Sequence, residues 1–132
     1  TDMPKQTEGV DMFISKLKHK DRVFNFCKHS KSLDYTIAMC SLSKGVISTD
    51  SALLHIAASL GISLFGIYGP FPAEIRLSTY PNADWINAKK ECAPCFQHGG
   101  KPCKEAGNNP YSPCYDNLDL DDAVIRIEKL IG

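Results

Sequence analysis

Apolar positions along the chain follow two rhythms, one of helical spacing and one of short, nearly continuous runs. Val10, Phe13, Ile14 and Leu17 recur at helical spacing with Lys16, Lys18 and Lys20 off that face, which predicts an amphipathic helix ending near His19. Arg22 to Cys27 is rich in strand formers and too short for a helix, so a strand is expected there. Ser32 reads as an N-cap before a broad apolar face of Leu33, Ile37, Ala38, Met39 and Leu42, and Lys44-Gly45 as stop signals; the second helix is expected from about Ser32 to Ser43. Val46-Ile47-Ser48 makes a short strand that turns at once into a helix from Asp50 to Leu60, closed by Gly61. Ile62 to Tyr68 has the unbroken apolar character of a parallel strand covered on both faces, and Gly69-Pro70-Phe71-Pro72 ends it. Asp84 to Asn87 reads as a further strand. Lys90 to Asn117 has no periodicity, and Asp119 to Ile131 closes the chain as a helix with Asp121 and Asp122 at its positive end and Val124, Ile127, Leu130 and Ile131 as its stripe.

Helices alternating with short apolar strands imply parallel crossovers, hence an α/β sandwich. The expected division is an α/β core over 1–89, a cysteine-rich loop over 90–117 and a C-terminal helix over 118–132. The composition agrees with one globular domain, since 132 residues carry 43% apolar and 23% charged side chains. Fifteen basic and fifteen acidic residues cancel, so no global field draws nucleic acid or an anionic membrane. Any phosphate must therefore be held by local geometry. No apolar run approaches the roughly 20 residues of a membrane-spanning helix, and Thr1-Asp2-Met3-Pro4-Lys5 lacks a secretory apolar segment, so a cytoplasmic origin is expected.

The turn Ser48-Thr49-Asp50-Ser51 is where chemistry is expected. In open parallel sheets ligands bind beyond the carboxyl ends of strands, where helix N-termini offer unpaired N–H groups and partial positive charge. Small hydroxyl residues let a diphosphate approach the backbone. Asp50 can cap the helix, worth roughly 1 kcal/mol, but would repel a diphosphate, so in a ligand site it suits sugar hydroxyls better. His55 lies one helical turn after Ser51 on the same face and can donate to phosphate. The plainer alternative has Asp50 capping and His55 packing. Glu74 and Arg76 read as a solvated pair on a short helix.

The stretch from Gly45 to Gly61, with Asp50-Ser51-Ala52-Leu53-Leu54-His55-Ile56-Ala57-Ala58 at its centre and Leu64 to Pro70 after it, resembles the signature of family 9 glycosyltransferases. These are the lipopolysaccharide heptosyltransferases and their relatives. The resemblance extends back through Val23 to Phe26 and Ser32-Leu33, and forward to the cysteine segment and final helix. It implies a Rossmann-like three-layer sandwich with a short, mainly parallel sheet, the C-terminal half of a two-domain, B-type glycosyltransferase. That half binds a nucleoside-diphosphate sugar, commonly ADP-heptose; the acceptor and the general base belong to an N-terminal domain. By the same resemblance Asp50 would meet sugar hydroxyls, Ser51 and the Ala52 amide the diphosphate, with Thr49 in the same turn, and His55 would help neutralise it. Gly69 and Pro70 would shape the turn beside the nucleotide.

Transfer would be inverting and would require no cofactor, with the diphosphate's charge met without a divalent metal. The parent enzyme is expected in the cytoplasm, peripheral to the inner membrane. Two departures stand out. The family's usual glycine is Ala52 here, whose methyl group restricts backbone approach. The strands that should open the domain, with the residues for the nucleoside, and the acceptor domain are expected to lie outside these residues, leaving this chain alone without turnover.

The remaining candidate is the cysteine segment. Cys92-Ala93-Pro94-Cys95 is a C-x-x-C knuckle, with Cys103 and Cys114 following and His98 between. Four thiolates around a structural zinc ion would hold a loop that has no core of its own. Disulfides, an iron–sulfur cluster and free thiols remain alternatives, and Cys27 and Cys40 read as small buried apolar residues. A rival to the donor domain is thus a zinc-stabilised α/β binding module, whose cysteine loop recognises a partner.

Overall fold

A computed structural model of the chain describes residues 3–27, 29, 32–96, 103–107 and 112–132. It is made of two units, Thr1–Ala38 and Met39–Gly132. The first opens with helix α1, Met3–Ser15, which begins almost at the chain end and stops sooner than periodicity suggested. Thr7 is buried and Val10, Ile14 and Leu17 are half-buried, along the expected face. Phe13 stands outside it, 62% exposed. The last turn tightens as Lys16 and Leu17 N–H groups donate three residues back, to Phe13 and Ile14.

The strand expected at Arg22–Cys27 does not form. A 3-10 turn takes Lys20–Arg22, and Val23 to Phe26 belong to no strand. Strand-forming side chains express a preference that only a neighbouring strand can satisfy. Here Asn25 anchors the segment to α1 instead, donating to the Asp11 carboxylate at 2.7 Å and to the Thr7 carbonyl at 3.2 Å. Helix α2, Leu33–Ser41, starts as expected, the Ser32 hydroxyl accepting from the Tyr35 N–H at 3.2 Å. The boundary between the units falls within it.

In the second unit the chain runs β1 (Gly45–Thr49), α3 (Ala52–Ser59), β2 (Ser63–Tyr68), α4 (Ala73–Leu77), β3 (Ala83–Asn87) and α5 (Leu120–Ile131). The strands form one parallel sheet in the order β1-β2-β3. Gly61 makes the turn between α3 and β2 possible: it adopts φ 71°, and the Ile62 N–H bonds back to the Ala57 carbonyl.

Alternation along the strands builds three layers. Val46, Leu64 and Tyr68 face α3 and α4, packing with Leu54, Ala57 and Leu77. Phe65 and Ile86 face the other way, onto Ala123, Ile127 and Leu130 of α5. Each fully buried Leu or Phe here contributes about 1.5–3 kcal/mol of burial. One detail of α5 differs from expectation: Ala123 faces the sheet and Val124 is 54% exposed, because the small residue lets the helix lie close over Phe65. This is the expected α/β three-layer arrangement. The register pairs Thr49 with Ile67 and Tyr68 with Asn87, so the three carboxyl ends share one rim.

Candidate functional site

At that rim β1 passes into α3 through Asp50 and Ser51. Ser51, not Asp50, is the N-cap residue, with extended φ −155° and ψ 161°. Its hydroxyl does not cap; it bonds the Ser48 hydroxyl at 2.8 Å. Two hydroxyls are thus held together beside a helix start that no side chain closes. Thr49 and Ala52 are exposed on either side of the turn, so the first amides of α3 are open to an anion.

Released from capping, the Asp50 side chain turns toward β2 and α4. Its Oδ2 lies 4.0 Å from the Arg76 Nε, yet is buried without a hydrogen bond. The Tyr68 hydroxyl is the other buried side-chain polar atom without a partner among the described residues. Burial first and then the Asp50 charge push the Tyr68 hydroxyl up to about 12, with Arg76 opposing them. The carboxylate is near enough to favour the protonated phenol, but the pair falls short of hydrogen-bond geometry. Tyr115 is pushed up too, by burial first and then by Cys114 and Asp50.

Arg76 owes its place to contacts that the sequence reading missed. Asn87, at the end of β3, accepts from the Ala73 N–H at 2.9 Å, which supplies the start of α4 with the partner that Pro72 cannot give. Glu74 accepts from Asn87 at 2.7 Å and from the Trp85 indole at 3.2 Å. The Arg76 guanidinium then stacks over Phe71, 5.6 Å from the ring centre. Glu74 and Arg76 are therefore not a solvated pair. One fixes α4 to β3; the other faces Asp50.

His55 has a side-chain partner that the spacing did not predict. Its Nδ1 bonds the Tyr80 hydroxyl at 2.9 Å, the rings meeting edge to face. This contact sets the ring's orientation, with Nε2 as the nitrogen left for a ligand. Gly69 and Pro70 form the floor of the rim. Gly69 is buried against Cys114 and Tyr115, and the Pro70 carbonyl accepts from the Phe96 N–H at 2.8 Å. Phe96 adopts φ 54° and meets Phe71 edge-on, 5.5 Å between ring centres.

The cysteine segment is thereby built onto the rim. Cys114 is buried, with the Ser112 hydroxyl 3.0 Å from its sulfur. Cys92 and Cys95 are exposed and Cys103 half-buried, all as free thiols. Among the described residues no three His, Cys, Asp or Glu side chains stand where they could hold a metal ion. Cys114 packs under Gly69, at the rim. His98 lies outside the described residues. Asp119-Leu120-Asp121, an Asp-x-Asp spacing, is accounted for by the helix: Asp119 caps α5, accepting from the Asp122 N–H at 3.1 Å.

A cavity of about 380 Å3 opens elsewhere, beside β3, with Glu74, Trp85, Asp122 and Arg126 in its walls. Its charges are spent on one another: Arg126 pairs with Asp84 and Asp122, and Lys89 with Asp119. No residue of the Ser48–His55 turn lines it.

Residues 15–105 of the 132 match the model of glycosyltransferase family 9 (heptosyltransferase). The chain belongs to this family. The matched stretch takes in the Ser48–His55 turn, Gly69-Pro70 and three of the four clustered cysteines; Cys114, Tyr115 and α5 follow it. No curated protein and no solved structure gives a match. As a family 9 glycosyltransferase domain it acts in sugar transfer, and the family implies a nucleotide-sugar donor. No helix among the described residues is long and apolar enough to cross a membrane.

Proposed function

We propose that this family 9 domain is the donor half of a two-domain transferase and that it holds a nucleoside-diphosphate sugar, an ADP-heptose-like donor, over the turn Ser48–Ser51. The observation that carries this reading is the uncapped start of α3, with the Ser48 and Ser51 hydroxyls 2.8 Å apart beside it. Preorganised donors at a helix start stabilise negative charge without reorganising during reaction.

In the proposed reaction an acceptor hydroxyl attacks the anomeric carbon from the face opposite the leaving group. The anomeric carbon–oxygen bond breaks, the nucleoside diphosphate departs with the electron pair, and the acceptor proton passes to a base in the other domain. Configuration inverts. The α3 amides, Ser51 and His55 Nε2 meet the charge growing on the departing phosphate, while Asp50 orients the sugar through its hydroxyls. A lipopolysaccharide acceptor, met from the cytoplasm at the inner membrane surface, completes the proposal.

Titration with ADP, GDP and UDP and their sugar esters, followed by backbone amide shifts, tests the reading. Shifts centred on Ser48 to His55 are expected, weak in affinity. A folded chain whose turn stays unmoved at saturating concentrations of all of them would sink the donor-site proposal. Movement only in the 90–117 segment on adding Zn2+ would favour a binding module instead.

A further inference from the structure

Two buried polar atoms without a hydrogen bond, Asp50 Oδ2 and the Tyr68 hydroxyl, lie near one another at the rim. Asp50 Oδ2 has no hydrogen bond although the side chain as a whole is 23% exposed, so that exposure belongs to its other atoms, Oδ1 among them. The carboxylate is split between an inner oxygen facing Tyr68 and Arg76 and an outer one facing solvent. Tyr68 is 1% exposed, and its hydroxyl is unpartnered as well. A buried hydroxyl without a hydrogen bond costs stability, and phenylalanine would fill the same space without that cost. The ring packs in the α3/α4 core, but packing does not explain the oxygen.

We propose that Tyr68 and Arg76 are positioning residues for Asp50: the phenol and the guanidinium hold the inner carboxylate oxygen, so that the outer one is aimed at vicinal hydroxyls of the donor's sugar. The inference rests on the donor-site reading and names the part of the ligand that this corner recognises. Arg76, braced over Phe71, offsets the carboxylate's charge at 4.0 Å, which lowers its repulsion of a diphosphate on the neighbouring amides. A small movement of the carboxylate toward the phenol closes the missing hydrogen bond, and a bound sugar, pulling on the outer oxygen, fixes that orientation. Selectivity is of the polar kind: a ligand lacking the hydroxyls leaves the corner unsatisfied.

The test is a double-mutant cycle read as the ratio of two affinities, that of the sugar ester over that of the bare diphosphate, for whichever of ADP, GDP or UDP binds. Tyr68→Phe is expected to lower this ratio five- to tenfold, and Asp50→Asn to lower it at least as far. In the Asp50→Asn background Tyr68→Phe should change the ratio less than twofold, because the two act through one contact. Arg76→Lys should restore most of what Arg76→Gln loses. A ratio that survives Tyr68→Phe overturns the inference, as does a fall in melting temperature with the ratio intact, since a merely structural phenol would behave so. Additive losses in the cycle overturn it too. A chain that binds none of the diphosphates overturns the donor-site reading, and this inference with it.

Discussion

Cys114 packs against Gly69 so closely that a methyl group at position 69 would come within 2.7 Å of its sulfur, and within 2.9 Å of the Tyr115 ring. The two belong to segments far apart in the chain, one on the rim, one in the cysteine-rich region. Gly69→Ala is therefore expected to destabilise the fold by about 1–3 kcal/mol through overpacking, and to speed the reaction of Cys114 with a thiol reagent. Thermal unfolding and thiol labelling check this. Cys114→Ala in the same chain should recover part of the loss; no recovery would mean that the strain lies at Tyr115.

Ala52 occupies the first helical position of α3 and is exposed toward the proposed phosphate. Ala52→Gly removes the methyl group and lets the backbone approach, so diphosphate affinity should rise severalfold. Helix stability should fall by about 0.5–1 kcal/mol. Calorimetric titration against a melting curve separates the two effects, and affinity unchanged or reduced would show that Ala52 does not limit the contact.

The His55–Tyr80 contact predicts a smaller effect. Tyr80→Phe keeps the aromatic packing but frees Nδ1, so the ring loses its fixed orientation. Diphosphate binding should weaken two- to fivefold, against ten- to thirtyfold for His55→Ala. Equal affinity in Tyr80→Phe and the parent chain would show that α3 alone orients the imidazole.

Acid stability should depend on the pair between α5 and β3. Burial raises the Asp84 carboxyl, but the Arg126 guanidinium and the Trp85 N–H outweigh it and hold the carboxyl below its usual value. A depressed folded value means stability present above the ordinary carboxylate range, about pH 4, and lost as pH falls through the folded value. Arg126→Gln should cost about 1 kcal/mol near neutrality, discounted for partial exposure, and should flatten the loss of stability as pH falls below about 4. Urea midpoints across that range give the comparison.

Tyr68 acts at the opposite end of the scale. Its folded value, near 12, exceeds the unfolded one, near 10, so the contribution is complete below pH 10 and vanishes as pH rises through 12. Tyr68→Phe should remove that alkaline decline. An unaltered decline would assign it to other groups, such as Tyr115.

The spacing of apolar residues by itself determined the alternation of helices and parallel strands in the second unit. Helical faces repeat within four residues and strand faces within two, so the neighbours concerned are close in sequence. The Ser32 cap, the Gly61 turn and the motif from Asp50 to His55 were legible for the same reason, and the motif carried the family. What needed a partner from elsewhere was not legible. Val23 to Phe26 look like a strand but pair with none among the described residues; Asn25 is held by α1 instead. Glu74 and Arg76 look solvated, yet Asn87, Trp85, Phe71 and Asp50 claim them. Cys114 lies far along the chain from Gly69, and only the tertiary structure packs one against the other. Sheet register and the docking of α4 decide which distant side chains meet, and no local period encodes either. The sequence thus determined the turn proposed to hold the donor, while only the tertiary structure decided that Asp50 turns from its helix toward Arg76 and Tyr68, because Ser51 holds the cap position and those two groups arrive from another strand and helix.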